Sequence, residues 1–101
     1  MAVVNCDLQR EFAAEVALWR RDTSHLSSVR AICSHPAYLR IIAMGVRALP
    51  YLLNEFIERP DHWHLALCTI TGDNPVPKED YGDLDAMANH WLEWGRERGL
   101  D

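Results

Sequence analysis

Three side chains able to bind a metal ion lie close together in the sequence: His62, His64 and Cys68. His64 and Cys68 are four residues apart, so they share one face of a helix. With a fourth ligand from elsewhere in the chain, the three could bind zinc. His62, however, would point about 200° away from His64 on a continuous helix. Because structural zinc sites usually show paired Cys or His spacings, we predict no bound metal, a core Cys68 and two histidines at the surface or at an interface.

Cys33 and His35 form a second candidate, a thiol nucleophile with a neighbouring base. Positions this close along the chain rarely bring a base to a thiol, and no glycine turn that could stabilise an oxyanion lies beside Cys33. His35 precedes Pro36 and is better explained as a packing or capping residue at a helix start. The sequence also lacks a phosphate-binding glycine loop, a GxSxG motif and an HExxH motif. We therefore predict no catalytic residue and no cofactor.

Length and charge limit the possible functions. The chain has 101 residues and a formal net charge of −5. This length suits one domain, which we predict over residues 1–101. An acidic chain is repelled by phosphate backbones, so nucleic-acid binding is disfavoured. One alternative stays open, a basic amino-terminal surface formed by Arg10, Arg20, Arg21, Arg30, Arg40 and Arg47.

Cysteine usage and hydropathy indicate the cellular compartment of the protein. The three cysteines of the chain fit no disulfide framework. The sequence shows no basic leader followed by an apolar stretch, and no apolar run approaches the roughly 18 residues of a membrane-spanning helix. We therefore expect a cytoplasmic protein with reduced thiols and no membrane partner.

Helical periodicity recurs along the chain, and no alternating strand pattern persists. The predicted helices cover residues 8–21, residues 29–33, a segment from Pro36 to just before Gly45, residues 47–58, a segment between Asp61 and Gly72, and residues 83–98. In the last of these, apolar residues recur at the helical spacing from Leu84 to Gly95. We predict an all-α fold, a compact bundle of about five helices.

Residues typical of helix ends support these boundaries. N-capping side chains precede five of the helices: Asp7, Ser27 or Ser28, Ser34, Asp61 and Asp83. Gly45 and Gly72 fit the left-handed position that follows many helices. Pro50 must lie in the first turn of its helix, because a deeper position would lose a hydrogen bond and clash.

The aromatic residues divide into core and surface candidates. Trp63 and Trp91 fall on apolar stripes, which places them in the predicted core. Trp94 lies beside the stripe of the last helix and is expected to be half exposed, as tryptophans at interface hot spots are. Tyr51, off the main stripe of its helix, is a further surface candidate. The predicted partner-binding residues are Tyr51, His62, His64 and Trp94.

Two runs carry a resemblance to known helical repeats. The run Gly45-x-x-Ala48-Leu49-Pro50-x-Leu52-Leu53 resembles the second-helix start of HEAT-type repeats, and Ala66-Leu67-x-x-Ile70-x-Gly72 is similar to the first helix of a following repeat. The resemblance covers about residues 37–72, barely one and a half units. It implies a compact domain with a HEAT-like helical hairpin at its centre rather than a solenoid.

A longer pattern resembles a group of short, uncharacterised bacterial helical proteins. It comprises His35-Pro36-Ala37-Tyr38, Ile41-Ile42, Gly45, Leu49-Pro50, His62-Trp63, Ile70-Thr71-Gly72-x-Asn74-Pro75-Val76 and Trp91-Leu92-x-Trp94-Gly95. This resemblance implies a bacterial origin. It implies no particular activity, because that group has none established.

Together these observations predict a small, non-enzymatic bacterial protein–protein interaction module, such as an antitoxin, an immunity protein or a regulatory subunit. Its acidic charge would favour a basic protein partner through electrostatic steering. The first alternative is a nucleic-acid-binding regulator that uses the arginine-rich half. A metal-dependent or cysteine enzyme is the second alternative, and self-association into a homo-oligomer remains open.

Overall fold

The structure is a computed structural model that describes residues 6–100. Six α-helices lie in this range: α1 Cys6–Thr23, α2 Val29–Cys33, α3 Pro36–Ala43, α4 Leu49–Glu58, α5 His64–Thr71 and α6 Leu84–Glu97. Two 3-10 turns, Gly45–Ala48 and Lys78–Asp80, precede α4 and α6. No strand occurs within the described range, so the predicted all-α class is confirmed. Residues 1–5 and 101 of the predicted domain lie outside the described residues.

The helices pack in three main pairs around one hydrophobic core. Helix α1 packs on α3, α3 on α5, and α4 on α6. The predicted stripe of α1 is buried over its whole length, from Leu8 to Trp19. The radius of gyration is 13.3 Å, close to the ~13 Å of a folded chain of about 100 residues. The HEAT-like hairpin stays a prediction, because the main contacts of α3 and α4 are with other helices.

Several predicted helix ends are confirmed. The Ser28 hydroxyl accepts a hydrogen bond from the Ala31 N–H, and the Asp83 carboxylate accepts one from the Ala86 N–H. Gly72 has φ 72° at the end of α5, the left-handed conformation that favours glycine. Pro50 lies in the first turn of α4, which begins at Leu49 because the preceding residues form a 3-10 turn.

Three predicted N-caps are wrong, each for a local reason. Helix α1 begins at Cys6, so Asp7 lies inside its first turn. At α3 the cap is the His35 ring, whose Nδ1 accepts from the Ala37 N–H, while the Ser34 hydroxyl donates back to α2. Helix α5 begins at His64, so Asp61 is too far upstream to cap it. The Asp61 carboxylate instead accepts from the His62 N–H and from Arg20.

A cluster of three buried aromatic rings, Trp19, Tyr38 and Trp63, joins α1, α3 and the start of α5. The Tyr38 and Trp63 rings are stacked at 6° with centroids 5.4 Å apart, and the Trp19 and Trp63 centroids are 4.4 Å apart. Each ring is no more than 1% exposed. Aromatic pairs of this kind stabilise a fold by about 0.5–1.5 kcal/mol beyond the area they bury.

The polar atoms of this aromatic cluster anchor the ends of two short helices. The Trp19 indole N–H donates to the Ile32 carbonyl at 2.8 Å, near the C-terminus of α2. The Tyr38 hydroxyl donates to the His62 carbonyl at 2.7 Å and accepts from the Ala66 N–H at 3.0 Å, at the N-terminus of α5. Helix ends leave such backbone groups unpaired, so these bonds position α2 and α5.

Candidate functional site

An apolar groove of about 250 Å³ lies between α2, α5 and the start of α6. We call it the His64 groove. It is lined by Val29, Cys33, His62, His64, Leu65, Tyr81, Gly82, Leu84 and Met87. Small-molecule and cofactor sites usually enclose about 300–1,000 Å³. The His64 groove is therefore better suited to one or two inserted side chains than to a whole cofactor.

Exposed apolar side chains concentrate at the rim of the His64 groove. In residues 7–100, six large apolar side chains are exposed, and three of them, Val29, Leu65 and Tyr81, line this groove. They are 51%, 51% and 48% exposed, respectively. Single exposed apolar residues are ordinary, but a contiguous group around an apolar depression is typical of an interaction site.

A larger groove of about 400 Å³ lies between α4 and α6. None of the six exposed large apolar side chains lines it. Its apolar residues are mostly buried or half-buried, because Leu53 and Trp91 belong to the core beneath it. It is therefore a less favourable site for contact with a second molecule than the His64 groove.

The wall of the groove formed by Tyr81 depends on a turn-rich segment before α6. The Tyr81 hydroxyl accepts a hydrogen bond from the Asn74 side-chain amide at 2.7 Å. Gly82 follows with φ 92°, a conformation that residues with a Cβ rarely adopt. The next residue, Asp83, is the N-cap of α6. This turn brings Tyr81 and the first turn of α6 to the same groove.

His64 has a defined tautomer in this groove. The Trp91 indole N–H donates to His64 Nδ1 at 3.0 Å. An indole N–H can only donate, so Nδ1 must be unprotonated and the ring proton lies on Nε2, 3.5 Å from the Cys68 sulfur. Burial lowers the pKa of His64 below its ordinary value. The imidazole is therefore neutral at physiological pH and contributes an uncharged, hydrogen-bonded ring to the groove.

Protonation of His64 should destabilise the fold, because it would place two N–H groups against each other at Trp91. The folded pKa is lowered from about 6.5, so the unfolded chain binds this proton more readily. We expect the free energy of unfolding to be unaffected by His64 above about pH 6.5 and to fall as the pH decreases through the lowered folded pKa.

Urea unfolding of the wild type and of His64→Gln between pH 8 and pH 5 measures this effect. Glutamine keeps an acceptor for Trp91 but does not titrate, so the variant should lose stability less steeply as the pH falls. His62→Gln, which replaces the other groove histidine and leaves the hydrogen bond from Trp91 to His64 in place, is the matched control. Equal slopes for the wild type and His64→Gln would contradict the assigned role of His64.

The residues of the sequence-derived metal candidate are only partly brought together. The His64 ring and the Cys68 sulfur are neighbours, as their spacing predicts. His62 instead contributes its backbone carbonyl to Tyr38 and to the Cys33 thiol, whose sulfur is 3.8 Å away. Within residues 7–100, no three His, Cys, Asp or Glu side chains are grouped so that they could bind a metal ion. Cys68 is half-buried against the core rather than fully buried.

The thiol–base pair does not form in this structure. Both ring nitrogens of His35 have other partners: Nδ1 accepts from the Ala37 N–H, and Nε2 lies 2.9 Å from the Asp22 carboxylate. Burial raises the pKa of the Cys33 thiol and of the Cys68 thiol. Because the thiolate is the reactive form, neither cysteine has the environment of an activated nucleophile.

The predicted exposure of Trp94 is wrong. Trp94 is only 8% exposed. Its indole N–H donates to the Asp73 carboxylate at 2.8 Å, and the Arg98 guanidinium lies 4.2 Å from its ring centroid. The hydrogen bond from Trp94 holds the pKa of Asp73 below its ordinary value. The helical stripe did not reveal this burial, because Asp73 comes from the loop after α5.

The four predicted partner-binding residues do not form one site. His62 and His64 both line the His64 groove. Tyr51 is half-buried in a separate groove between α1 and α4, with its ring centroid 6.0 Å from that of Phe12. Trp94 belongs to the core. His62 and His64 therefore line the same groove, whereas Tyr51 and Trp94 lie elsewhere.

The residues that form the rim of the groove were not among the predicted partner-binding residues. Leu65 lies off the buried stripe of α5, and Val29 lies in a helix too short for a stripe. An apolar residue off the buried face of its helix was the available signal for Leu65. Tyr81 had no comparable signal, because it lies in a turn-rich segment without periodicity.

Arginines of the predicted basic surface are partly neutralised. Arg20 contacts Glu55 at 2.6 Å and Asp61 at 3.1 Å. Arg40 forms a bidentate pair with Glu15, at 2.7 and 2.9 Å. These carboxylates offset the charge that a phosphate backbone would attract. Binding to nucleic acid stays an untested alternative, with steep weakening between low and moderate salt as its signature.

Comparisons with known proteins do not assign a family. No protein-family model matches this chain, and no curated protein or solved structure is significantly similar to it. Among the helices of residues 6–100, none is both long and apolar enough to cross a membrane. A functional inference must therefore come from the groove itself.

Proposed function

We propose that this chain is a protein–protein interaction module whose partner inserts an apolar side chain into the His64 groove. The observation that carries the proposal is the group formed by Val29, Leu65 and Tyr81, each about half exposed around an apolar depression. Covering these side chains would stabilise a complex by roughly 25 cal/mol for each Å² of apolar surface removed from water. The small volume of the groove also suits an inserted side chain.

The compartment, the absence of catalysis and the class of partner in this proposal follow from the sequence. The protein acts in a bacterial cytoplasm and catalyses no reaction. It serves as an antitoxin, an immunity protein or a regulatory subunit that binds another protein. Two features support a binding role over an enzymatic one: the protonated thiols of the buried Cys33 and the half-buried Cys68, and the engagement of both His35 nitrogens away from Cys33.

Leu65→Asp should abolish partner binding, and Leu39→Asp should not. Leu65 and Leu39 are 51% and 52% exposed on helices, but only Leu65 lines the His64 groove. An aspartate in the first turn of α5 is favourable to the helix dipole, so the variant should fold. We expect recovery of the partner to fall at least about tenfold with Leu65→Asp, because a carboxylate would be buried at an apolar contact.

Affinity purification from the source organism, followed by mass spectrometry, measures this difference. The wild type and Leu39→Asp should retain the same partner, and far-ultraviolet circular dichroism should show that both variants are folded. Equal recovery of the partner by Leu65→Asp and the wild type would refute a site in the His64 groove. Equal loss with both variants would also refute it, because the effect would then be independent of the groove.

A further inference from the structure

Acidic residues are frequent in the chain segment that forms one wall of the His64 groove. The segment that contributes Tyr81, Gly82 and Leu84 to the groove also contains four carboxylates and one lysine: Glu79, Asp80, Asp83, Asp85 and Lys78. The side chains of Glu79, Asp83 and Asp85 are exposed. A molecule in the groove would therefore meet a negative potential along this wall.

Two of the four carboxylates already contact other groups of the fold, and two do not. Asp80 lies 2.7 Å from His90, and Asp83 caps α6. Neither Glu79 nor Asp85 forms a hydrogen bond or an ion pair with another described residue. These two carboxylates have no structural role within residues 6–100, so their charges remain available to a second molecule.

The groove also indicates the kind of side chain that could enter it. Cys33 and Met87 provide polarisable sulfur in its lining, which suits an aromatic or a long aliphatic side chain. The Tyr81 ring is about half exposed, lies in the same short segment of the chain as Glu79 and Asp85, and has its centroid 5.5 Å from that of His64. An ammonium or a guanidinium group can lie over such a ring while it contacts a carboxylate.

We infer that the occupant of the His64 groove is a short basic segment of another protein, in which one apolar anchor residue is flanked by Lys or Arg. This inference rests on the proposed function. The anchor enters the apolar groove, and the flanking cations contact Tyr81, Glu79 and Asp85. A second copy of this chain is a poor occupant, because its net charge of −5 opposes approach to an acidic wall.

A displayed library of random peptides tests the inference, with selection on the wild type and counter-selection on Leu65→Asp. The enriched peptides should share an apolar residue flanked by Lys or Arg. Their binding should weaken about tenfold on Glu79→Lys at low salt, and less at high salt, because salt screens exposed charges. Glu93→Lys, the same exposed charge reversal outside the segment that contributes Tyr81, Gly82 and Leu84 to the groove, should bind like the wild type.

The outcomes separate the inference from the proposed function. Enriched peptides without a Lys or Arg preference, or bound equally by Glu79→Lys and the wild type, would overturn the basic segment and leave the groove as a binding site. The absence of peptides that prefer the wild type over Leu65→Asp would overturn the binding site itself. A wild-type dimer that Leu65→Asp converts to a monomer would show a second copy as the occupant and overturn the inference.

Discussion

Replacing Trp19 by Phe is expected to destabilise the protein by about 2–4 kcal/mol more than replacing Trp63 by Phe. Both rings are almost fully buried, at 1% and 0% exposure. The smaller ring therefore leaves a similar cavity at each site, at a common cost on the order of 1–3 kcal/mol. The difference arises from the two indole N–H groups.

The Trp19 N–H donates to the Ile32 carbonyl at 2.8 Å. In a continuing helix that carbonyl would accept from the residue four positions on, but this residue is Pro36, which has no N–H. Trp19→Phe therefore leaves the carbonyl unpaired, at about 1–3 kcal/mol. The Trp63 N–H is buried and has no hydrogen-bond partner among the described residues. Trp63→Phe removes this unpaired donor and relieves part of its desolvation cost.

Urea unfolding of the two variants measures the difference in free energy, and unchanged m-values would show that the unfolded states are comparable. Because a small domain is stable by only about 5–15 kcal/mol, Trp19→Phe should shift the midpoint strongly. Near-ultraviolet circular dichroism should show that the remaining rings stay packed in both variants. A loss of stability in Trp63→Phe that equals or exceeds that in Trp19→Phe would contradict the hydrogen-bonding role of Trp19.

Tyr38→Phe is expected to destabilise the protein by about 2–4 kcal/mol without removing a single carbon atom. The hydroxyl pairs two backbone groups at once, the His62 carbonyl and the Ala66 N–H. The Ala66 N–H is one of the first in α5, where Trp63 at the N-cap provides no side-chain acceptor. Burial raises the pKa of the Tyr38 phenol, so the hydroxyl stays protonated and can donate.

Urea unfolding measures this loss, and hydrogen exchange should show reduced protection of the Ala66 amide in particular. Tyr81→Phe is the matched control, since it removes an exposed hydroxyl that is bonded to Asn74. Its effect should stay within about 0.5 kcal/mol. If Tyr38→Phe is no more destabilising than Tyr81→Phe, the hydroxyl does not anchor α5.

The hydrogen bonds of Trp19 and Tyr38 also fix the helices that form the proposed site. Trp19 pairs a carbonyl near the end of α2, and Tyr38 pairs backbone groups at the start of α5. These two helices contribute Val29, Cys33 and Leu65 to the His64 groove. A rigid groove exposes its apolar rim at a lower entropic cost of binding than a mobile one. The aromatic cluster of Trp19, Tyr38 and Trp63 therefore stabilises the fold and orients two walls of the candidate site.

Periodicity and local chemistry predicted much of the helical fold. The stripe from Leu8 to Trp19 is buried as expected, because a helix that shows apolar residues every three or four positions has one face to cover. Ser28 and Gly72 lie at the helix ends that they indicated, since caps act on backbone groups only a few residues away. The core positions of Trp63 and Trp91 are confirmed for the same reason.

Predictions that depended on distant contacts were less successful. Asp61 has the chemistry of an N-cap, but its carboxylate accepts from Arg20, forty-one residues away in the sequence. Trp94 looked half exposed on its own helix, yet its indole N–H is covered by the Asp73 carboxylate, twenty-one residues away in the sequence. In each case the deciding partner is fixed by how the helices pack, and a helical wheel contains no information about it.

The sequence by itself determined the all-α class, the approximate helix boundaries, the buried stripe of each longer helix and the position of His64 and Cys68 on one face. All of these depend on interactions between residues a few positions apart. Only the tertiary structure decided that His62, Leu65 and Tyr81 line one groove, that Tyr51 lies elsewhere and that Trp94 is buried. Those relations join residues of different helices and of the loops between them, and they follow from packing that no local spacing encodes.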